Sequence, residues 1–202
     1  MRRKEMDRLI AHCDAHFRQN DCMVLHPIVD TGPHVDALLY EPNEAYPYWK
    51  LVSMGASDYR MPRVANGLGR RNEYVMLIDP DEDMRDPAVA GWYHNTLLTV
   101  ALYPFYENTY ISYGHSIEWG EEDGEEMVSA FLELPQRIEN VSFLRCELGL
   151  GKTAVMLQIV LLNRAETERL LEQGAERFSG FIYSEDGRSG HFICERKRSE
   201  RF

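Results

Sequence analysis

The sequence is poor in the features that mark disulfide scaffolds, nucleic-acid binders and membrane proteins. Its 202 residues include four cysteines and no Cys-x-x-Cys pair, so we predict free thiols in a reducing compartment. Lysine and arginine number 22 against 33 aspartates and glutamates, and the net charge of -11 opposes phosphate binding. No apolar run reaches the length of a membrane span. We therefore expect a cytoplasmic protein that binds neither nucleic acid nor membrane.

The composition supplies enough apolar residues to fill one core. Hydrophobic residues make up 44% of the chain and aromatic residues 11%, and the length favours one domain over two. Helical and strand periodicities alternate along the chain. We predict an α+β fold, a single domain with a mixed, mostly antiparallel sheet and helices packed on it. Residues 1–20 are expected to form an N-terminal helix ahead of the main domain, residues 21–202.

Three segments are predicted to be helical. Apolar residues recur at helical spacing along Lys4–Arg18. Asp86, followed by a proline, indicates the start of a helix that Pro104 is expected to end. Asn163 has a glutamate three residues later, which is the capping-box pattern, and this helix is expected to reach Phe178.

Alternating or continuous apolar segments predict the strands. They are Cys22–Val29, His34–Glu41, Trp49–Ser53, Asn72–Ile78, Ile111–Trp119, Val128–Leu134, Val141–Leu148 and Thr153–Leu162. The last is almost wholly apolar, which is typical of a central strand covered on both faces. Near the carboxyl end we predict a hairpin of Phe181–Ser184 and His191–Cys194 around an Asp-Gly turn.

Two glycine-containing motifs resemble catalytic or nucleotide sites but each lacks a required residue. Gly149–Thr153 resembles a phosphate-binding loop, yet it lacks the first glycine and precedes an apolar strand instead of a helix. We predict a hairpin turn there, with an exposed Lys152 whose replacement by alanine leaves fold and function intact. Gly55–Tyr59 half-matches a nucleophile elbow but lacks the second glycine.

Two further patterns resemble metal sites. The aspartates within residues 79–83 copy the start of a calcium loop, but the glycine and the final glutamate of that loop are missing. His12 and His16 are one helical turn apart without the glutamate of a metalloprotease motif. We therefore predict no metal, no cofactor and no catalytic residues.

Residues 46–62 carry the strongest pattern in the chain. The strand Trp49–Ser53 leads into the turn Met54–Asp58, which Met61 and Pro62 close, and an H-x-D strand beginning at His34 precedes it. With the strand Asn72–Leu77 downstream, this order resembles the Suppressor of fused family. The resemblance covers roughly Asp21 to Phe178.

The resemblance implies protein binding and no enzymatic activity. Animal members of the family hold transcription factors in check, and bacterial relatives are regarded as immunity proteins or antitoxins. We expect a bacterial, single-lobe member that neutralises a partner toxin, with a basic toxin domain as the candidate partner. The alternatives are a regulatory protein that sequesters a transcription or signalling factor, or a hydrolase of unrecognised chemistry around His34, Asp36, Ser57 and Asp58.

Two surfaces are candidates for the partner. The positions of the motif, and of a partner-binding site, are His34, Asp36, Trp49, Gly55, Ser57, Asp58, Met61, Pro62, Glu73 and His115. Because the two strands around the motif should pair, we expect His34, Asp36, Ser57 and Asp58 to lie close together. The acidic segment Gly120–Glu126 is the other candidate, since its charge would steer a basic partner.

Overall fold

The computed structural model describes residues 1–27, 32–65, 67–119, 126–189 and 192–197. Within them the chain forms four α-helices and eight strands. The helices are α1 (Arg3–Phe17), α2 (Pro87–Tyr106), α3 (Arg164–Gln173) and α4 (Ala175–Ser189). The strands are β1 (Cys22–Leu25), β2 (Asp36–Tyr40), β3 (Trp49–Met54), β4 (Asn72–Ile78), β5 (Ser116–Glu118), β6 (Met127–Glu133), β7 (Arg145–Gly149) and β8 (Lys152–Asn163).

The strands of the described chain form one sheet. Its order is β1-β2-β3-β4-β8-β6-β5, and β7 pairs with the first residues of β8. Only β4 and β8 run parallel among these pairs; the others are antiparallel. Asp36 lies opposite Met54, and Trp49 lies opposite Ile78. The predicted α+β fold with a mixed, mostly antiparallel sheet is confirmed.

Helices cover both faces of the sheet, as the alternation along β8 requires. Ala154 and Met156 pack in the same cluster as α1, whereas Val155 and Leu157 pack in the cluster of α2. Farther along the α1 face, the end of β8 packs with Phe178 of α4. Every residue of β8 from Ala154 onward is buried, so the predicted central strand is confirmed.

Capping side chains set two of the helix starts. The carboxylate of Asp86 accepts a hydrogen bond from the Ala88 amide, with Pro87 at the first helical position. Asn163 and Glu166 accept hydrogen bonds from each other's backbone amides and complete a capping box. Both predicted starts are therefore confirmed.

Pro104 does not end α2, which is a correction to the prediction. A proline inside a helix removes one amide donor and crowds the preceding turn. Here the helix continues only to Tyr106, so the loss is confined to the last turn. The Glu107 amide still bonds the Tyr103 carbonyl. Across the described residues, no helix is both long enough and apolar enough to cross a membrane.

The hairpin predicted near the carboxyl end is also wrong. The segment Phe181–Ser184 belongs to α4. Phe178 and Ile182 are one helical turn apart, and both are fully buried against β6 and β8. This helical spacing outweighs the strand propensity of the aromatic residues. Cys194 forms a single parallel bridge with Ile78, and His191 lies outside the described residues.

Four predicted strands are shorter than expected, and one of them is β2, which spans only Asp36–Tyr40. β1 ends at Leu25, and residues 28–29 of the prediction lie outside the described residues. Residues 141–144 form a 3₁₀ turn ahead of β7. Residues 111–115 precede β5, because Gly114 adopts a φ of 83° and turns the chain there. Alternation alone does not show such turns.

Candidate functional site

A buried carboxylate holds the turn that follows β3. Oε1 of Glu73 accepts hydrogen bonds from the amides of Gly55 and Ser57, each at 3.0 Å. Oε2 accepts a bond from the Ser53 hydroxyl at 2.5 Å. Glu73 is fully buried, and this burial raises the pKa of its carboxyl although the hydrogen bonds favour the charged form. The turn is therefore fixed to β4 from inside the protein.

Gly55 lets the turn approach the preceding strand. Its φ is 129°, and a Cβ at this position would lie 2.6 Å from the His34 carbonyl oxygen. Glycine is thus required both by the backbone conformation and by the contact. Ser57 is fully buried in this turn, whereas the serine of a nucleophile elbow is exposed.

The carboxylate of Asp36, at the start of β2, contacts two histidine side chains. Its Oδ1 atom lies 2.7 Å from Nδ1 of His26 and 2.9 Å from Nε2 of His34. The Asp36 side chain is 6% exposed, whereas those of His26 and His34 are 67% and 55% exposed. His26 was absent from the predicted set; its position just beyond β1, opposite β2, places it there.

Asp58 belongs to a different group of charges. Its carboxylate contacts the Met1 amine and lies 2.6 Å from Nζ of Lys152, which is also 2.9 Å from Oε2 of Glu5. Burial by itself raises the pKa of Asp58. The bonds to Lys152 and to the Met1 amine together lower this pKa by more, so the net change is downward. The hydrogen bond to Lys152 likewise lowers the pKa of Glu5.

The expected cluster of four residues is thus divided between two groups. β2 and β3 pair as predicted, and the backbone of His34 touches Gly55. However, Asp36 bonds both His34 and His26, whereas Asp58 bonds the Met1 amine and Lys152 at the start of β8. The prediction of an exposed Lys152 is also wrong, because its side chain is only 16% exposed.

Lys152→Ala is therefore expected to lower the free energy of unfolding by about 1 kcal/mol near neutral pH, since a partly exposed ion pair contributes little more. The folded pKa values of Glu5 and Asp58 lie below their ordinary values of 4.5 and 3.8. The contribution is present above those values and is lost as the pH falls through the folded pKa values. Urea unfolding at several pH values, with exposed Lys4→Ala as the control, measures it. A loss that persists in acid would contradict this ion pair.

A cleft on the surface is lined by two of the predicted residues. It has a volume of about 640 Å³ and contains Pro62 and His115. We call it the loop cleft; its other lining residues are Val64, Ala65, Gly67, Leu68, Asn108, Thr109, Tyr110, Ser112 and Tyr113. Val64 and Tyr113 are 41% and 38% exposed. The cleft therefore offers an apolar and aromatic surface with a few polar groups.

Hydrogen bonds hold the walls of the loop cleft. The Tyr110 hydroxyl accepts a bond from the Leu68 amide at 3.1 Å. The side-chain amide of Asn72 donates to the Ile111 carbonyl at 2.9 Å. Met61 exchanges bonds with Arg70 across the base of the loop. These contacts tie both walls to the start of β4.

Two further predicted residues lie in the hydrophobic core. Trp49 and Met61 are buried in the cluster that packs α2 on the sheet. Residues 120–125 of the acidic segment lie outside the described residues, and Glu126 is exposed. The aromatic run at 103–113 was not singled out, although its density of tyrosine and phenylalanine was a signal for the loop cleft.

Two of the rejected motifs have structural roles. Gly149–Thr153 forms the β7–β8 hairpin, as predicted, with Gly151 at a φ of 71°. His12 and His16 pack against the ring of Phe143. His12 bonds the Phe143 carbonyl and His16 bonds the Ser142 hydroxyl.

The open mixed sheet, covered by helices on both faces, makes this protein an α+β domain with the loop cleft on its surface. The chain belongs to the Suppressor of fused family, since the family model described as "Suppressor of fused protein (SUFU)" matches residues 31–189. No curated protein sequence matches the chain significantly.

Solved structures share this fold. A chain of the Sufu–Fu complex has a TM-score of 0.69 and 14% identity, with 97% of this chain and 91% of that chain covered. A Suppressor of fused homologue from Neisseria gonorrhoeae has a TM-score of 0.68 and 12% identity, with 97% and 96% covered. Drosophila Suppressor of Fused has a TM-score of 0.67 and 15% identity, with 97% and 51% covered, so this chain spans about half of it.

Proposed function

We propose that this protein binds a partner protein stoichiometrically through the loop cleft and catalyses no reaction. The observation that carries the proposal is the cleft itself, about 640 Å³, where Pro62 and His115 meet exposed Val64 and Tyr113. A concave, mainly apolar surface of this size accommodates an anchoring side chain of a partner. Tyrosine supplies large contact area at a low cost in conformational entropy.

Family membership supports a protein partner. The family is that of Suppressor of fused, and a structure of similar fold is a complex of Sufu with Fu. In this chain hydrogen bonds from the Leu68 amide and the Asn72 side chain hold the walls of the loop cleft. A preformed surface loses less entropy on binding.

The net charge supports a finer part of the proposal. With a net charge of -11, the protein would attract a basic partner and speed its association. Neutralising a basic toxin domain, as an immunity protein or antitoxin does, fits this charge. Sequestering a basic transcription or signalling factor fits it as well, and the identity of the recovered partner distinguishes the two.

Substitutions in the loop cleft are expected to weaken partner binding at least tenfold. The double variant Val64→Ala and Tyr113→Ala removes exposed contact area, so it should fold normally. The matched control is Leu150→Ala, at the exposed tip of the β7–β8 hairpin. Lysate from the source cells is passed over each protein, and the recovered partner is titrated by calorimetry.

We expect one partner per chain for wild type and for the control. A partner retained equally by the cleft variant would reject the cleft as the contact surface. Turnover of the partner or of any ligand at substoichiometric protein would reject stoichiometric binding. An association rate that is insensitive to salt would reject the basic partner, because salt screens steering between exposed charges.

A further inference from the structure

His26, His34 and Asp36 bring three metal-ligating atoms to one point. Their ligand atoms all lie within 4.8 Å of one another. Around a zinc ion with bonds of about 2.0–2.2 Å, neighbouring tetrahedral ligand atoms are roughly 3.4 Å apart. The two nitrogens lie 2.7 and 2.9 Å from the carboxylate oxygen, so a small outward movement of the rings admits an ion.

The backbone fixes this arrangement. Leu25 is the last residue of β1 and pairs with Ala37, so His26 is placed beside Asp36 across the strands. His34 is two residues before Asp36 along the chain. The carboxylate is therefore a buried anchor, and both imidazoles extend from it toward solvent, which leaves an entry path for an ion.

A third histidine gives independent support. His94 of α2 is only 7% exposed, and within the described residues its Nε2 atom has no hydrogen-bond partner. It lies close enough to Asp36 and His26 for their charges to act on it. Together with Pro27 it lines a groove of about 730 Å³ along α2. A buried polar atom without a partner carries a free-energy cost unless a ligand or water completes it.

We propose that His26, His34 and Asp36 bind a divalent transition-metal ion, for which Zn²⁺ is the best match. Two imidazole nitrogens and one carboxylate oxygen form a three-ligand zinc set that leaves the fourth position open. The unpartnered Nε2 atom of His94 is the group that we expect to hydrogen-bond a ligand in that position. Co²⁺ and Ni²⁺ bind the same donors, whereas Mg²⁺ and Ca²⁺ prefer oxygen ligands alone.

The competing explanation is a hydrogen-bonded group without a metal. In that case Asp36 only accepts hydrogen bonds from the two histidines. Its bond to His26 then holds the end of β1 against β2. Both explanations predict the distances above. They differ in what a metal titration shows, because hydrogen bonds to Asp36 by themselves give no saturable, site-specific affinity for Zn²⁺.

The test uses the full chain without an affinity tag, stripped of metal by a chelator and titrated with Zn²⁺ by calorimetry. We expect one ion per chain, and an affinity at least a hundredfold lower for His26→Ala or His34→Ala. Even a residue that only supports a metal ligand changes the affinity by roughly 10–100-fold, so loss of a ligand should cost no less. Both side chains are more than half exposed, so these variants should fold, which circular dichroism checks.

The matched control is the double variant His12→Ala and His16→Ala, which removes another pair of neighbouring histidines. It should bind Zn²⁺ as wild type does. The Co²⁺-loaded protein should show the visible bands of nitrogen and oxygen ligands without thiolate charge transfer. Absence of saturable binding, equal affinity in the His26 and His34 variants, loss of binding in the control, or a thiolate spectrum would each overturn the proposal.

Discussion

Replacing Glu73 with alanine is expected to lower the free energy of unfolding by at least about 3 kcal/mol. The change leaves three buried donors without their acceptor, namely the amides of Gly55 and Ser57 and the hydroxyl of Ser53. Each such donor costs about 1–3 kcal/mol, and removing the cost of burying a carboxylate offsets part of the sum. Urea unfolding of the variant measures the loss, with exposed Glu172→Ala in α3 as the control.

The conservative variant Glu73→Gln should reveal the pH dependence of this carboxyl. Burial raises the pKa of Glu73 above its ordinary value of 4.5. The protonated carboxyl therefore contributes stability that is fully present below that value and is lost as the pH rises through the folded pKa. The free energy of unfolding of the wild type should therefore rise, relative to that of Glu73→Gln, as the pH falls from about 7 toward the ordinary pKa. A difference that stays constant over this range would contradict the raised pKa.

Gly55→Ala is expected to destabilise the protein by about 3 kcal/mol or more. A side chain disfavours a φ of 129°, and the added Cβ would lie 2.6 Å from the His34 oxygen and 3.3 Å from the Val35 Cα. Both neighbours are backbone atoms of the adjacent segment, so neither can move away as a flexible side chain can. The turn and β2 would have to separate.

Gly151→Ala is the matched control for that experiment. Its φ of 71° also disfavours a side chain, but nothing lies within 4 Å of the added Cβ. We expect a cost of about 1 kcal/mol from the backbone conformation alone. Equal losses at the two positions in thermal or urea unfolding would show that the contact with His34 contributes nothing.

Local signals explain which elements were predicted correctly. The apolar period of α1, the cap at Asn163 and the apolar run of β8 are each written in neighbouring residues. The same holds for the β7–β8 hairpin. These features follow from intrinsic propensity and from the apolar pattern, and the tertiary packing agrees with both.

The side-chain partners could not be predicted in the same way. Glu73 stands out as the one charged residue of β4, but the groups that donate hydrogen bonds to it belong to β3 and the turn that follows β3. Lys152 is at a hairpin, where exposure is the default, yet α1 lies over it and supplies Glu5. Phe181 has high strand propensity, and its helical state follows from how α4 packs on the sheet.

The central parallel pair of strands also determines the order in which the protein can fold. β4 and β8 are far apart in the chain, with α2, β5, β6 and β7 between them. The antiparallel run from β1 to β4 requires only local loop closure, whereas the pairing of β4 with β8 is a contact of high contact order and should limit the folding rate. While β8 has not yet emerged from the ribosome, β4 is an open apolar edge of the nascent sheet. That edge is where association with other chains would begin, and where a chaperone would be needed first.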